Sequence, residues 1–357
     1  MIKIPNIIET WQMVEPGKLA RASLDVPEIK SGEVLVEIAG CGVCHTDLGY
    51  FYEGVPTVTK PPLTLGHEIS GRVIAGDGGW VGKEVIIPAV MPCNNCPICA
   101  AGRGNRCLAQ KMPGNSMGIY GGFSNLIVVP SQDLCLVEGR SDIPLEHLAV
   151  VADAVTSPYQ AAMRAELKPG DLTIVLGTGG GLGSYMTQVC SALGAKEVIG
   201  IDVVPEKLER ALRYGATHTI NSMDKSARDV RDEFRSYCKE KGLPSNYGWK
   251  IFEWTGTGVG QEIALGLLSF VCTLVIGGYG MQRNEYQLSR LMAFDAEIKG
   301  TWGCLPKYYP EVLKMVLKKK IDIEPFVETR PMSQIQQAFE DAHTGGLEKR
   351  IVLIPDF

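Results

Sequence analysis

The stretch IVLGTGGGLGS, residues 174–184, sets Gly177, Gly179, Gly180, Gly181, Leu182 and Gly183 between a buried-strand run, DLTIVLG, and a segment of helical spacing, GLGSYMTQVCSALGA. Glycines there allow a tight turn. They also let an anion approach the backbone at a helix N-terminus, where unpaired N–H groups and the helix dipole favour negative charge. A second strand, KEVIGID, ends in Asp202, 19 residues after Gly183. A carboxylate at that position can accept both ribose hydroxyls and would repel a further phosphate, so the order strand, loop, helix, strand, acid points to NAD rather than NADP. The competing reading is a tight turn and a strand-end Asp with no ligand. Lys207, read as the one cation near the loop, either holds the ribose edge or is a solvated surface lysine.

The alternation continues through PEKLERALRYGA, KIFEWTG, VGQEIALGLLSF, CTLVIGGYG and AEIKGTW. Strand–helix alternation of this kind predicts an α/β unit with a doubly wound parallel sheet over residues 156–300. Gly277 and Gly278, in VIGGYG, are expected to let a nicotinamide ring lie against backbone. Residues 1–155 have a different texture, rich in Gly and Pro, with short β-type runs EVLVEIAG, ISGRVIAG, KEVIIPAV, FSNLIVVP and LCLV. They predict a mostly-β domain with long functional loops. Residues 301–357 read as helix, loop, helix and strand, expected to return to the first domain.

At 357 residues, with 45% hydrophobic and 21% charged residues, the chain has the composition of a two-domain globular protein. A net charge of -5 and no basic run denser than LKKK at 317–320 argue against a nucleic-acid partner. No window is apolar enough for a membrane span and the first residues have no signal-like apolar core, so a cytoplasmic location and reduced cysteines are expected.

Four of the eleven cysteines, Cys93, Cys96, Cys99 and Cys107, follow C-x₂-C-x₂-C-x₇-C within a lobe at about 91–110. Four thiolates so spaced can close tetrahedrally on one zinc and leave no open position, which makes such a site structural. A nucleic-acid zinc ribbon would need two separated pairs and a basic surface. Cys135, Cys190, Cys238, Cys272 and Cys304 stand singly and read as buried thiols.

CGVCHTDLGY, residues 41–50, carries a C-x-x-C followed at once by His. It reads as a redox dithiol, as half of a zinc finger, or as a pair of which one cysteine does chemistry. Catalytic zinc keeps one exchangeable position and takes mixed donors. Cys44, His45, Thr46 and Asp47, then His67 and Glu68 in LGHEISG, then Asp153 in VADAVTSPY supply the right types. Spacing alone does not unite them, and each also reads as a packed thiol, a satisfied histidine or a capping Asp.

GCGVCHTD followed by PLTLGHEISGRV, the four-cysteine lobe and the glycine loop resemble the zinc-dependent medium-chain alcohol dehydrogenase family, from about residue 20 to the C-terminus. The resemblance implies a GroES-like mostly-β catalytic domain and a Rossmann nucleotide domain, with NAD and two zinc ions per chain, one catalytic and one structural. It implies that Cys44, His67 and Asp153 bind the catalytic zinc while Cys41 does not. Glu68 would approach the metal when the substrate position changes, Asp47 would orient His67, and Thr46 would pass the substrate proton. His45 and Arg350 would lie by the cofactor pyrophosphate. Several members have a relay histidine a few residues after the Thr, where this chain has LGYF, leaving Tyr50 or water to end the relay.

The implied reaction is hydride transfer between a CH–OH group and NAD, with a small-molecule partner and a homo-oligomer, a tetramer rather than a dimer, paired near CTLVIGG. Polyols, threonine, aldehydes and simple alcohols are all served by the family. Stretches such as GNSMGIYGGFSNLIVVPSQDLCLV and DAVTSPYQAAMRAELKPG most resemble members that oxidise the ring alcohol of a cyclic hydroxyacyl-CoA thioester. Readings from other classes are a zinc-free reductase, which would lack the GHE and four-cysteine motifs, and a non-catalytic zinc- and nucleotide-binding protein, which would have lost Cys44, His67 or Asp153.

Overall fold

Val34, Leu35, Val36, Ile38 and Cys41 are all buried within one ten-residue strand. Covered on both faces, that strand is central to a sheet. The computed structural model, which describes residues 5–140, 142–345 and 347–357, begins with β1 (Ile7–Glu15), β2 (Lys18–Asp25), β3 (Glu33–Gly42, the buried strand), α1 (His45–Tyr52), β4 (Leu63–Thr64), β5 (Glu68–Gly76), β6 (Glu84–Ile87), α2 (Pro97–Ala100), β7 (Leu126–Pro130) and β8 (Cys135–Leu136). A strictly alternating middle follows: α3 (Thr156–Arg164), β9 (Leu172–Leu176), α4 (Gly183–Ala192), β10 (Glu197–Asp202), α5 (Pro205–Arg213), β11 (His218–Asn221), α6 (Ala227–Lys241), β12 (Trp249–Glu253), α7 (Gly258–Leu267), β13 (Thr273–Ile276), α8 (Ser289–Phe294) and β14 (Glu297–Gly300). The chain closes with α9 (Tyr309–Leu317), β15 (Val327–Pro331), α10 (Ile335–His343) and β16 (Arg350–Ile354).

These elements fall into two units. The first takes the described residues through Thr156 together with Gly303–Lys319 and Ile323–Phe357; the second takes Ser157–Trp302 and Lys320–Asp322.

In the first unit a seven-stranded sheet runs β15-β16-β3-β5-β6-β8, with β7 also on β3, beside a three-stranded sheet β2-β1-β4. Pairing of β3 with β5 sets Gly42 opposite Glu68 and Cys41 opposite Ile69, so the CGVC and GHE motifs meet through strand register. A Cβ on Gly42 would lie 2.1 Å from Glu68 Oε2, which is why a glycine occupies that rung. On the other side of β3, β16 pairs Val352 with Gly42 and Leu353 with Cys41, bringing the strand that starts at Arg350 to the same place. Phe339 on α10 fixes the core there, edge-on to Phe51 (5.3 Å) and Phe123 (5.5 Å).

The second unit is built on a six-stranded sheet ordered β11-β10-β9-β12-β13-β14, parallel throughout. Strand order reverses between β9 and β12, and the carboxyl ends of those strands form the crevice in which open α/β sheets take ligands. Helix ends are set locally: Pro205 opens α5, a Ser226–Asp229 capping box opens α6, and Gly242, left-handed at φ 64°, closes it. Trp249 and Phe234, 5.0 Å apart edge to face, anchor its core.

Some elements differ from the sequence reading. The β1–β2 hairpin, turned at Gly17 (φ 81°), has no clean polar–apolar alternation because β1 packs partly on both faces. LCLV forms only the two-residue β8, and β15 interposes a strand containing Arg330 and Pro331 between the last helices. Among the described residues no helix is long and apolar enough to cross a membrane.

Candidate metal and nucleotide sites

Cys44 is the N-cap of α1, and Asp47, three residues on, folds back to accept its backbone N–H at Oδ2 (3.1 Å). The other carboxylate oxygen of Asp47 accepts the Gly66 N–H (3.0 Å) and stands 3.3 Å from His67 Nδ1. One buried carboxylate thus joins α1 to the residues entering β5. His67 Nε2 faces Asp153 Oδ2 at 3.7 Å, and Cys44 Sγ lies 3.8 Å from that same oxygen and 3.8 Å from Thr46 Oγ1. One ligand atom each from Cys44, His67, Glu68 and Asp153 lies within 4.8 Å of all the others.

The electrostatics of this cluster call for a cation. Burial would depress the His67 imidazole, yet the charge of Asp47, with Asp153 and Cys44 close by, outweighs it and raises its pKa. Burial pushes Glu68 up to about 7 against the pull of Arg350. Both His67 nitrogens and both Glu68 oxygens are buried without a completed hydrogen bond. Polar groups so buried and so under-satisfied are costly unless a further charge joins them, and mixed S, N and O donors suit zinc.

Arg350, expected beside a pyrophosphate, donates from Nη1 to the Val43 carbonyl (2.8 Å) and pairs with Glu68 Oε1 (3.4 Å). Buried next to a carboxylate, its charge is engaged within the first unit. Thr46 is half-buried beside the cluster and His45 is exposed at the first turn of α1. The Tyr50 hydroxyl accepts from Asn115 Nδ2 (2.6 Å), while Asn115 Oδ1 accepts the Val58 N–H (2.8 Å). Tyr50 therefore braces the loop after α1. Sequence reading did not find Asn115, which has no motif around it.

Cys93, Cys96, Cys99 and Cys107 also converge within 4.8 Å. Sulfur separations are 3.3 Å for Cys93–Cys107, 3.5 Å for Cys96–Cys99 and 3.8 Å for Cys96–Cys107. Asn94, left-handed at φ 59°, makes the turn between the first two. Backbone N–H groups of Leu108 and Cys99 hold the Cys96 thiol down at about 6, while burial and the neighbouring thiols push Cys99 up to about 12. Four thiols brought this close fit a divalent cation that would stabilise all of them as thiolates.

In the second unit Gly177 is left-handed (φ 76°), and a Cβ on Gly183 would strike the Gly177 carbonyl at 1.9 Å, so the loop is as tight as its glycines imply. α4 begins at Gly183 with Leu182 as N-cap, while Gly180 donates to the Gly177 carbonyl (2.9 Å) and Gly181 is exposed. Asp202 ends β10 beside this loop. Its Oδ2 accepts the Gly179 N–H (2.8 Å) and its Oδ1 the Val203 N–H (2.8 Å).

Lys207 does not stand alone as a cation there. Its stem packs where a Gly179 Cβ would be, and Arg210, one turn on, donates to the Gly179 carbonyl (3.3 Å). The i, i+3 spacing in PEKLER was the available signal for Arg210. Gly277 and Gly278 serve internal packing: a Cβ on either would lie 2.4 Å from the Trp254 ring or from the Gly256 nitrogen. Their lack of side chain is needed by the β12 and β13 loops themselves.

Residues 30–139 match the alcohol dehydrogenase GroES-like domain, and residues 181–318 match the zinc-binding dehydrogenase family. An NAD-dependent alcohol dehydrogenase of Sulfurisphaera tokodaii is 32% identical over 252 residues, covering 66% of this chain and 69% of the relative. Galactitol 1-phosphate 5-dehydrogenase of Escherichia coli is 26% identical over 344 residues, 92% of this chain and 95% of the relative. The crystal structure of the Escherichia coli galactitol-1-phosphate dehydrogenase superposes with a TM-score of 0.85 at 26% identity, covering 97% of this chain and 100% of that one. The chain belongs to the zinc-dependent medium-chain alcohol dehydrogenase family and is an NAD(H)- and zinc-binding oxidoreductase acting on a CH–OH group, with a GroES-like unit and a Rossmann unit.

Proposed function

We propose that the enzyme oxidises a secondary alcohol to a ketone with two zinc ions per chain: a catalytic ion held by Cys44, His67 and Asp153, and a structural ion held by the four cysteines of the lobe. The convergence of Cys44, His67, Glu68 and Asp153 carries the reading. Zinc supplies Lewis acidity at the alcohol oxygen, and NAD⁺ supplies the hydride acceptor. Thr46 Oγ1, beside Cys44, accepts the alcohol proton while its own hydroxyl proton passes on to water. Asp47 keeps His67 in one orientation, with Nε2 toward Asp153. Glu68, shared with Arg350, is the carboxylate able to exchange into the metal position. In the nucleotide unit, Asp202 faces the ribose, and the N-terminus of α4 takes the pyrophosphate. The overall balance is alcohol plus NAD⁺ giving ketone, NADH and one proton.

For the alcohol itself we propose 6-hydroxycyclohex-1-ene-1-carbonyl-CoA, oxidised to the 6-oxo thioester in anaerobic benzoyl-CoA breakdown. Support comes from the sequence resemblance running through residues 114–137 and 153–170. A second reading, a polyol or its phosphate, is favoured by the galactitol 1-phosphate relative, which aligns over nearly its whole length. NADH formation measured against a panel holding the cyclic CoA ester, galactitol 1-phosphate, threonine and simple alcohols separates them. A kcat/KM for the CoA ester at least about a hundredfold above every other member is expected; equal turnover of a simple alcohol contradicts the CoA assignment.

A further inference from the structure

On α6, Arg231, Phe234 and Arg235 occupy one face at i, i+3 and i+4 spacing. They line a cavity of about 50 Å³ with Ser245, Arg290 and Phe294. With about 10–15 Å³ of such space needed for one water, that volume holds a group of a few heavy atoms and excludes a nucleoside. Three arginines line it, and no acidic residue does. Arg231 Nε is buried with no hydrogen-bond partner. Arg290 lies over the Tyr286 and Phe294 rings at 5.6 and 5.3 Å. Arg235 has one distant ion pair, with Asp232 at 3.9 Å, outside the cavity lining.

Topology separates this cavity from the nucleotide crevice. Ser245 lies in the connection entering β12, and Phe294 in the one entering β14, so both stand at the amino ends of parallel strands. The glycine loop and Asp202 stand at the carboxyl ends, on the opposite edge of the same sheet.

We infer that Arg231, Arg235 and Arg290, with the Ser245 hydroxyl, form a second anion site that takes a tetrahedral oxyanion: inorganic phosphate or the terminal phosphate of a phosphate monoester. Planar guanidinium groups offer paired N–H donors to such oxygens, and the phenylalanine walls exclude water from the contact. Occupied, the site ties α6 to α8.

Calorimetric titration of the NADH-saturated full chain with inorganic phosphate, at ionic strength held constant with sodium chloride, tests the site. One phosphate per chain is expected to bind saturably. The R231Q/R290Q double variant weakens it at least about tenfold, and R228Q, on the same helix but outside the cavity, leaves it unchanged. If the double variant does not fold, R235Q, at an exposed position, takes its place with the same expectation. A second arm with coenzyme A identifies the source: competition with phosphate that is lost in the variant assigns a phosphate monoester, and no competition assigns the free anion, either of which requires the site. No phosphate binding beyond the chloride control, equal loss in R228Q, or unchanged binding in the variant overturns the inference.

Discussion

Asp47 illustrates what one residue contributes here. Its two oxygens take the Cys44 and Gly66 N–H groups and face His67, so it sets the geometry of two motifs separated by twenty residues without itself reaching the substrate. Asp47→Asn keeps the size but replaces one acceptor oxygen with a donor, against backbone donors. Loss of about 10- to 100-fold in zinc affinity at this site is expected, the usual effect of removing a carboxylate behind a metal-bound histidine; competition with a chelator measures it. Asp202 makes a separable prediction. Asp202→Gly removes the charge that repels a 2′-phosphate while Lys207 and Arg210 stay in place, so the NADP-to-NAD ratio of kcat/KM is expected to rise by at least about tenfold, roughly 1.4 kcal/mol. A ratio that stays fixed removes Asp202 from cofactor choice.

Elements connect those residues, and here reading the sequence and reading the structure part company. The glycine loop, its strands and its helices were legible because their pattern is local: an apolar run, a glycine turn and a helical period within thirty residues. The four cysteines were legible for the same reason. Cys44 and His67 meet through the register of β3 on β5, and Asp153 joins them from the end of the 3-10 turn Glu146–Ala152; neither long-range approach leaves a mark in local spacing. Asn115 under Tyr50 and the Glu68–Arg350 pair escaped notice on that account.

Pairing within the first sheet also has a pH signature. Glu84, on β6, accepts from Arg140 Nε (2.7 Å) and Arg72 Nη2 (2.8 Å), and these hydrogen bonds hold its carboxyl below the usual range. A lowered folded-state pKa adds stability that is present above the unfolded value and lost as pH falls through the folded one. Glu84→Gln is therefore expected to cost about 1–3 kcal/mol at neutral pH, with the gap to wild type closing in acid; denaturant melts across the pH range read it directly.

At the scale of the whole molecule, β13 of the CTLVIGG stretch, expected to pair, lies inside the parallel sheet, and β14 beside it is one of the two open edges. Ile298 on it is exposed, as are Leu288 and Met292 before it, at 73% and 77%. An edge strand flanked by bare apolar side chains is a template for another chain. We propose a homo-oligomer, a tetramer rather than a dimer, with this edge among its contacts, and Ile298→Lys is expected to shift the mass in light scattering toward smaller species. A monodisperse monomer in the wild type contradicts that. We propose that the chain carries two zinc sites of different kind and that the one on Cys44 performs the chemistry. Zinc content per chain, measured with NADH formation on the same samples, distinguishes them. Two zinc ions are expected in the active wild type, and one in a folded, NADH-binding Cys44→Ser variant that has lost turnover. Two zinc ions with near-full activity in that variant, or a single zinc in the active wild type, would contradict the proposal.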